Sequence, residues 1–359
     1  MLIDNKTKKC AFIKVEKNVI PSNLLKDRFI VPPFSIFDPR QGYWQERKNL
    51  WKSLGIKSEL GRADNLTYNL GCFNYDDEKE RQKALHENPI SNFDGYQDKE
   101  KSKFGKCLSD SIGEAYERKN VQATSIFDPV LTEIMYRWFS REGDKIIDPF
   151  AGGSVRGVIA ACLGRSYKGI DLSKNQVEAN KEQFAEMNKK FSDIKGTATW
   201  INGDSLYCKE LAEDKYDMLL TCPPYYDLEV YSEEEGDISN CDTYEEFMQT
   251  FEKIIDNACS MLKDNSFAVC VVGDVRDKKT GAYYNFVGDT VNAFRKAGLH
   301  YYNEGILVNV TGTLPVRVGK QFNSGRKFGK QHQNILCFYK GDPTRIKEHF
   351  PVLDSLQNV

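Results

Sequence analysis

The sequence predicts an α/β fold of the Rossmann-like type, in which helices cover both faces of a mostly parallel sheet. From Asp144 onward, short apolar runs alternate with segments whose apolar residues recur every three or four positions. These patterns are typical of buried strands and amphipathic helices, and their alternation favours a parallel sheet. Polar or glycine residues bound each apolar run, as the turns at strand ends require.

Seven strands are predicted in this part of the chain. The five strands of the parallel part lie at 145–148, 167–171, 197–202, 216–221 and 267–273. The accompanying helices lie at 155–163, 174–189, 244–262 and 286–297. Two more strands, 300–310 and 334–339, follow the last helix with no crossover helix between them. Because parallel neighbours need a crossover, we expect these two strands to form an antiparallel hairpin at one edge of the sheet.

The N-terminal part of the chain gives weaker signals. Residues 41–54 (QGYWQERKNLWKSL) form its strongest helical pattern, whereas residues 86–106 are polar and typical of a loop or linker. We therefore predict an N-terminal extension at 1–120, a Rossmann-like domain at 121–345 and a C-terminal tail at 346–359.

The composition favours a soluble globular protein without a metal centre. Of the 359 residues, 40% are hydrophobic and 28% are charged, and no apolar run is long enough to cross a membrane. The N-terminus shows no secretory leader pattern, so a cytoplasmic location is expected. The ten cysteines form no CxxC pair and do not cluster with the four histidines. We therefore expect reduced thiols, with neither a zinc site nor a disulfide framework.

Charge is distributed unevenly along the chain. The net charge is only −2, yet residues 1–60 carry twelve basic and six acidic side chains, and residues 311–350 carry eight basic and two acidic ones. Residues 227–246 carry nine acidic side chains and no basic one. Such a distribution fits either a basic groove for a polyanion or ordinary solvated faces, and charge alone does not decide between them.

The sharpest chemical signal is the segment TCPPYY at 221–226, directly after a predicted strand. Two successive prolines fix the backbone and remove two N–H donors, which leaves carbonyls that only accept hydrogen bonds. Such an acceptor row suits an exocyclic amino group, and a neighbouring aromatic ring can stack on a base. The alternative is a proline-rich turn that merely ends the strand.

A second signal is DPFAGGS at 148–154, between a predicted strand and a helix. Glycines there allow a ligand to approach the backbone, and the helix N-terminus favours acceptor groups. Asp171 ends the next strand, where an acidic side chain can bind ribose hydroxyls, and Gly203–Asp204 ends the third. No GxxxxGK[ST] string occurs, so a phosphate-cradling nucleotide triphosphatase site is not supported.

Together these segments resemble the S-adenosylmethionine-dependent DNA amino-methyltransferases, which modify adenine N6 or cytosine N4. DPFAGGS is similar to their cofactor motif DPFxGxG, and TCPPYY to their catalytic motif [DNS]PP[YFW]. Phe127–Asp128–Pro129 looks like a third family motif, and its proline lies 19 residues before Asp148. The resemblance covers about residues 124–341, and the cofactor motif precedes the catalytic one.

The resemblance implies S-adenosylmethionine as cofactor and double-stranded DNA as partner, without a metal. The implied catalytic residues are Cys222, Pro223, Pro224 and Tyr225. The implied cofactor-binding residues are Phe127, Asp148, Phe150, Gly152, Asp171 and Asp204.

Two positions depart from the family pattern. Cys222 replaces the usual Asp, Asn or Ser, and Ser154 replaces the last glycine of the cofactor motif. A thiol is a weak acceptor, so the carbonyl of Pro223 should contribute more than the Cys222 side chain. Methylation of cytosine C5 by thiolate attack is disfavoured, because in that chemistry the cysteine follows a proline on a mobile loop.

Two basic segments are candidates for DNA recognition. The connection 311–332 should project beside the active site, and the predicted helix at 41–54 carries basic residues beside Trp44 and Trp51. The predicted DNA-binding residues are Arg317, Lys320, Arg326, Lys327, Lys330, Arg47 and Lys48. In the alternative for the N-terminal helix, its aromatic residues simply dock it on the core. The acidic stretch 227–246 is expected to be a flexible loop that closes over the base or cofactor.

The favoured function is methylation of a DNA adenine at N6. The alternatives are methylation of cytosine N4, an RNA base methyltransferase, and a non-catalytic DNA-binding protein with a degenerate methyltransferase fold.

Overall fold

The computed structural model describes residues 2–4, 9–11, 29–56, 127–226, 236–309 and 314–353. All of these residues belong to one compact unit of the chain, residues 1–62 with 126–359. The predicted linker at 86–106 and the domain boundary near residue 120 lie outside the described residues.

The seven predicted strands are present, and the described residues contain three short strands that were not predicted. In chain order, the strands are β1 (Leu2–Asp4), β2 (Lys9–Ala11), β3 (Ile36–Phe37), β4 (Lys145–Asp148), β5 (Ser166–Asp171), β6 (Thr197–Asn202), β7 (Tyr216–Thr221), β8 (Leu262–Val272), β9 (His300–Val308) and β10 (His332–Lys340). Among the described residues, β1 and β2 pair with each other and with no other strand. The rest form one eight-stranded sheet in the order β3-β9-β10-β8-β7-β4-β5-β6.

Strand directions confirm the predicted fold class. The pairs that involve β4, β5, β6 and β7, and the pair of β3 with β9, are parallel. β10 runs antiparallel to both of its neighbours, β8 and β9. The sheet has eight strands rather than seven, because the short β3 adds to the outer side of β9.

The longer helices are α1 (Gly42–Ser53), α2 (Pro129–Phe139), α3 (Val155–Cys162), α4 (Lys174–Lys190), α5 (Tyr244–Ser260), α6 (Phe286–Lys296) and α7 (Leu314–Gly325). α1, α3, α4, α5 and α6 agree closely with the ranges given above. The start of α2 is fixed by Asp128, whose carboxylate accepts hydrogen bonds from two first-turn N–H groups. A capping box of Thr243 and Glu246 fixes the start of α5.

Two hydrophobic cores lie on opposite faces of the sheet. Side chains alternate along each strand, so Ile146 joins one core while Ile147 joins the other. The first core contains residues of α1 to α4, and the second contains residues of α5 and α6. A sheet buried on both faces explains why its strands appear in the sequence as nearly continuous apolar runs.

Two expectations about the connections need correction. The connection between β9 and β10 contains a helix, α7, where none was predicted. That helix does not cross the sheet, so the two strands still pair in opposite directions. The acidic stretch 227–246 is not a loop throughout, because Tyr244–Glu246 form the first turn of α5, whereas residues 227–235 lie outside the described residues.

Residues 29–56 are built into the same fold. β3 extends the sheet, and α1 packs on α2 with Trp44 and Trp51 buried. At the other end, Ile346–His349 form a short helix, and the ring of Phe350 lies 5.0 Å from that of Phe267.

Candidate active site

The signature segments meet at one edge of the sheet. β4, β5, β6, β7 and β8 are parallel, so the segments that follow them emerge at the same edge. Ligands of open α/β sheets bind at this edge, outside the carboxyl ends of the strands. The two motifs that lie 73 residues apart are tied directly, because the Thr221 hydroxyl donates to the Asp148 carboxylate at 2.8 Å.

The buried carboxylate of Asp148 connects the segments at this edge through hydrogen bonds. This carboxylate is fully buried and accepts hydrogen bonds from Arg156 at 2.6 Å, from the Tyr167 hydroxyl at 2.8 Å and from Thr221. Arg156 also donates to the carbonyl oxygens of Phe150 and Ala151, at 2.5 and 3.0 Å. The carboxylate therefore holds the cofactor-motif turn in place, and a direct contact of Asp148 with the cofactor stays a prediction.

Gly152 gives this turn an open side. Its φ is +50°, and a Cβ added there would meet nothing within 4 Å. The Gly152 N–H donates to the Asp171 carboxylate at 2.7 Å, and its carbonyl accepts from Asn180 at 2.7 Å. The backbone is thus clamped on one side and free on the other, as close approach of a ligand requires.

Asp171 provides an acceptor beside that opening. Besides Gly152, the N–H of Ser173 donates to its carboxylate at 2.9 Å. Burial raises the pKa of Asp171 to about 6, although the two backbone N–H groups act in the opposite direction. A carboxylate with so little solvent gains from additional donors such as ribose hydroxyls. The Asp171 acceptor beside the open side of Gly152 therefore fits a nucleoside.

The remaining predicted cofactor residues surround the same edge. Asp204 caps the turn after β6 by accepting from the Leu206 N–H at 2.8 Å, and a Cβ on Gly236 would lie 2.9 Å from its second oxygen. Phe127 lies against Arg156, whose guanidinium carbon is 4.7 Å from the ring centroid. The ring of Phe150 stacks on Phe251 at 6.2 Å. Their contact with the cofactor stays a prediction.

The catalytic-motif segment presents one tyrosine and buries the next. Tyr226 is buried among Tyr244, Phe247 and Tyr284. Tyr225 is half-buried, with its ring edge-on to Phe286 at 6.2 Å. Tyr225 is therefore the tyrosine of the pair with a surface for a ligand.

Gln333, which the sequence analysis missed, anchors Tyr225. Its side-chain amide donates to the Tyr225 hydroxyl at 2.7 Å. The two residues are 108 positions apart, and no motif links them. They meet because β10 pairs with β8 in the register that places Asn334 opposite Val272, at the carboxyl end of β8.

Comparison of the sequence with known protein families identifies the family of this chain. A family model described as DNA methylase matches residues 9–182 and 216–358. The chain belongs to this DNA methylase family. S-adenosylmethionine is the cofactor that membership assigns to it, and the open turn at Gly152 and the acceptor at Asp171 fit its nucleoside part. No curated protein matches the chain significantly.

Solved structures match the methylase only distantly. TrmN from Thermus thermophilus is 13% identical with a TM-score of 0.39, and the match covers 65% of this chain and 53% of that one. An S-adenosylmethionine-dependent methyltransferase from Methanosarcina mazei is 14% identical with a TM-score of 0.40, over 58% and 97% of the two chains. The methylase thus spans about half the length of TrmN.

The described part of the chain contains neither a candidate metal-binding group nor a candidate membrane-spanning helix. It contains no group of three or more His, Cys, Asp or Glu side chains placed to hold a metal ion. None of its helices combines the length and the apolar character of a membrane span.

The predicted DNA-binding residues of the β9–β10 connection lie in α7 and just after it. Lys320 is exposed on α7, and the Arg326 guanidinium lies 5.3 Å from the Phe322 ring. Lys327 packs over Gly281, and Lys330 donates to the Asp274 carbonyl at 3.2 Å. Arg317 lies in α7, and its side chain is outside the described part of the structure. Contact of these residues with DNA stays a prediction.

The other two predicted DNA-binding residues are paired inside the protein. Arg47 forms two hydrogen bonds of 2.5 Å with the buried carboxylate of Glu133, and Lys48 lies 2.8 Å from Asp128. Trp44 and Trp51 donate to the same two carboxylates. These contacts match the docking alternative for α1, and DNA contact by Arg47 or Lys48 stays a prediction.

Proposed function

We propose that the chain transfers a methyl group from S-adenosylmethionine to the exocyclic amine of a base flipped out of double-stranded DNA. The observation that carries this proposal is the juxtaposition of the rigid Pro223–Pro224–Tyr225 segment with the Gly152 turn at one sheet edge. Adenine N6 is favoured over cytosine N4, because a purine gives the Tyr225 ring the larger stacking area.

The cofactor is held by acceptors and by backbone approach. The Asp171 carboxylate accepts hydrogen bonds from the ribose, and the open side of Gly152 lets the ligand lie against the backbone. Asp204 lies beside the adenine end, and Phe127 and Phe150 line the methionine side. When bound, S-adenosylmethionine supplies an electrophilic methyl group on its sulfonium.

The catalytic segment prepares the amine. The Pro223 carbonyl accepts an N–H of the target amine, which localises the nitrogen lone pair that would otherwise be delocalised into the ring. Tyr225 stacks on the extruded base and fixes its distance from the donor. Gln333 holds the Tyr225 hydroxyl, so the ring is positioned before the base arrives. No general base is required, because methylation itself makes the amine acidic.

The duplex is held by the basic residues near the same edge. Lys320, Arg326, Lys327 and Lys330 contact phosphates, with Arg317 on the same helix. We give Arg47 and Lys48 a smaller part, because DNA would have to share them with Glu133 and Asp128.

Methyl incorporation tests the proposal. The purified full-length protein is incubated with tritiated S-adenosylmethionine and unmethylated duplex DNA, single-stranded DNA or RNA, and the labelled nucleoside is identified after digestion. We expect N6-methyl-2′-deoxyadenosine from duplex DNA. Label in cytosine N4 would correct the base, and label in RNA alone would favour an RNA base methyltransferase. DNA binding without incorporation would favour a degenerate methyltransferase fold.

A further inference from the structure

A short hairpin, residues 275–284, forms part of the surface beside the active site. It follows the carboxyl end of β8, and Tyr284 N–H donates to the Val275 carbonyl at 3.0 Å. Its turn is fixed by the Asp277 carboxylate, which accepts from the N–H groups of Lys279 and Thr280 at 2.6 and 2.7 Å. The hairpin is therefore an ordered element, and it carried no motif in the sequence.

Two cations from different segments, Arg276 and Lys330, lie over the ring of Tyr283 in this hairpin. The guanidinium carbon of Arg276 lies 3.8 Å from the Tyr283 ring centroid, and the ammonium of Lys330 lies 5.7 Å from it. Arg276 also donates to the Gly281 carbonyl at 2.8 Å. Neither cation forms a salt bridge within the described residues. Their hydrogen bonds to protein groups there go to backbone carbonyls, so the pair keeps its positive charge.

The surroundings of Lys330 lower its pKa, so its positive charge is less stable than that of an exposed lysine. Burial lowers the pKa of Lys330, and the Arg276 cation lowers it further, while Asp274 acts in the opposite direction. The Asp274 carboxylate itself accepts from the Val287 N–H at 3.1 Å. Among the described residues, two half-buried cations face the single carboxylate of Asp274. This arrangement leaves an excess of positive charge, which an anionic ligand would neutralise.

The cation pair adjoins the catalytic tyrosine. A Cβ built on Gly273 would lie 3.3 Å from the Lys330 ammonium and 3.8 Å from the Tyr225 hydroxyl. Lys330 and Tyr225 therefore reach the same point at the end of β8. A nucleotide whose base stacks on Tyr225 brings its own phosphates to this side of the sheet edge.

We propose that Arg276 and Lys330, which both lie over the Tyr283 ring, bind the phosphodiester next to the target nucleotide. The inference rests on the proposed function, since it places a specific phosphate of the extruded nucleotide. It assigns the role to a fixed pair of residues rather than to general attraction by the basic surface. Binding there would hold the sugar-phosphate backbone in the extruded geometry while the base occupies the catalytic segment.

Neutralising one phosphate tests this assignment. The methylated position is first located by sequencing DNA that the wild-type protein has modified. Short duplexes of that site are then made with a methylphosphonate on the 5′ or the 3′ side of the target nucleotide. We expect one of the two duplexes to lower kcat/KM of the wild-type protein by about 10-fold to 100-fold, as loss of a charge-assisted contact does.

Variants supply the decisive comparison. Lys330→Met and Arg276→Gln should each lower kcat/KM on the normal duplex, and the methylphosphonate should then cause little further loss. Lys279→Met, at the exposed tip of the same hairpin, is the matched control and should show the full methylphosphonate loss. Tm measurements establish that each variant is folded.

Each outcome bears on a different claim. If the variant and methylphosphonate losses multiply in full at both phosphates, the cation pair does not bind either one and the inference is overturned. If the wild-type protein methylates no DNA, the proposed function fails and this inference fails with it.

Discussion

Asp171 links the pH of the solution to cofactor binding. Its pKa of about 6 in the unliganded protein results mainly from burial. In the proposed complex, ribose hydroxyls donate to the ionised carboxylate, so we expect binding to be strongest above pH 7 and to be lost as the pH falls through 6. Below that value we expect the Kd for S-adenosylmethionine to rise by up to about 10-fold per pH unit. Isothermal calorimetry between pH 5 and 8 measures this dependence.

A substitution separates Asp171 from other titrating groups. Asp171→Ala should weaken cofactor binding by about 10-fold to 100-fold at pH 7.5 and flatten the pH dependence. Asp264→Ala, an exposed position near the start of β8, is the control and should preserve both. A folded Asp171→Ala protein with wild-type affinity would rule out the assigned role.

Tyr225 should act on the base and not on the cofactor. Tyr225→Ala removes the stacking ring, so we expect kcat to fall by about 5-fold to 150-fold, since base stacking contributes roughly 1 to 3 kcal/mol. The Kd for S-adenosylmethionine should stay within about twofold. Gln333→Ala and Tyr225→Phe each break the same hydrogen bond, so the double variant should be no worse than the more impaired single one. Near-normal turnover by Tyr225→Ala would contradict the stacking role.

Cys222 distinguishes two kinds of methylation chemistry. In amine methylation the Cys222 thiol forms no covalent bond to the base, so Cys222→Ser should retain most of the wild-type kcat. A thiolate nucleophile attacking cytosine C5 would lose all activity with the same change. Single-turnover methylation of duplex DNA measures the difference.

At the scale of elements, the packing of α1 on α2 depends on one buried carboxylate. Glu133 accepts from Arg47, Arg137 and Trp51 and is almost fully buried. Burial opposes its ionisation, but Arg47 and the other donors hold the pKa of Glu133 at about 2. Because this pKa is depressed, the stabilisation is complete above pH 4.5 and is lost as the pH falls toward 2.

Removing that carboxylate should loosen the N-terminal segment. Glu133→Ala leaves Arg47 and Arg137 without their partner, and we expect it to lower the free energy of unfolding by about 3 to 5 kcal/mol. Urea titration followed by tryptophan fluorescence reports the change. Arg40→Met removes an exposed ion pair with Asp38 and should leave stability unchanged. Equal effects of the two variants would contradict the assigned role of Glu133.

The segment after α7 should contribute to DNA affinity through charge. The association constant for DNA should fall less steeply with salt when Arg326 and Lys327 are replaced by glutamine. We expect the slope of its logarithm against log salt concentration to become shallower by about 1 to 2 units, because each phosphate contact that is lost reduces the number of counterions released on binding. Lys189→Gln with Lys190→Gln, at the C-terminal end of α4, removes the same charge away from the site. Fluorescence anisotropy at several salt concentrations compares the two pairs, and identical slopes would remove the segment from the DNA interface.

At the scale of the whole molecule, local pattern sufficed for the fold and for part of the site. Strand and helix periodicity placed β4 to β10 and most helices, because a two-faced sheet imposes apolar runs that any window of sequence reveals. The position of segments 148–154 and 221–226 at the ends of β4 and β7 was likewise predictable, since each segment is one contiguous motif.

Long-range pairing was not predictable in the same way. The stripe of Trp44, Arg47, Lys48 and Trp51 exists, but its carboxylate partners lie 80 to 86 residues away, so the sequence could not show that it faces inward. Gln333 reaches Tyr225 only through the order of strands in the sheet. Such residues carry no motif, because strand pairing and not spacing brings them there.

The position of β10 has a consequence for the order in which the molecule can assemble. It follows the other strands in sequence, yet it lies between β8 and β9. During synthesis on the ribosome, β8 and β9 must therefore wait with open edges until β10 has emerged, and open edges invite pairing with other chains. Gln333 lies on this strand. Its hydrogen bond to Tyr225 therefore forms in the same late step in which β10 closes the sheet. A nascent chain stalled before β10 should consequently be both prone to aggregation and inactive.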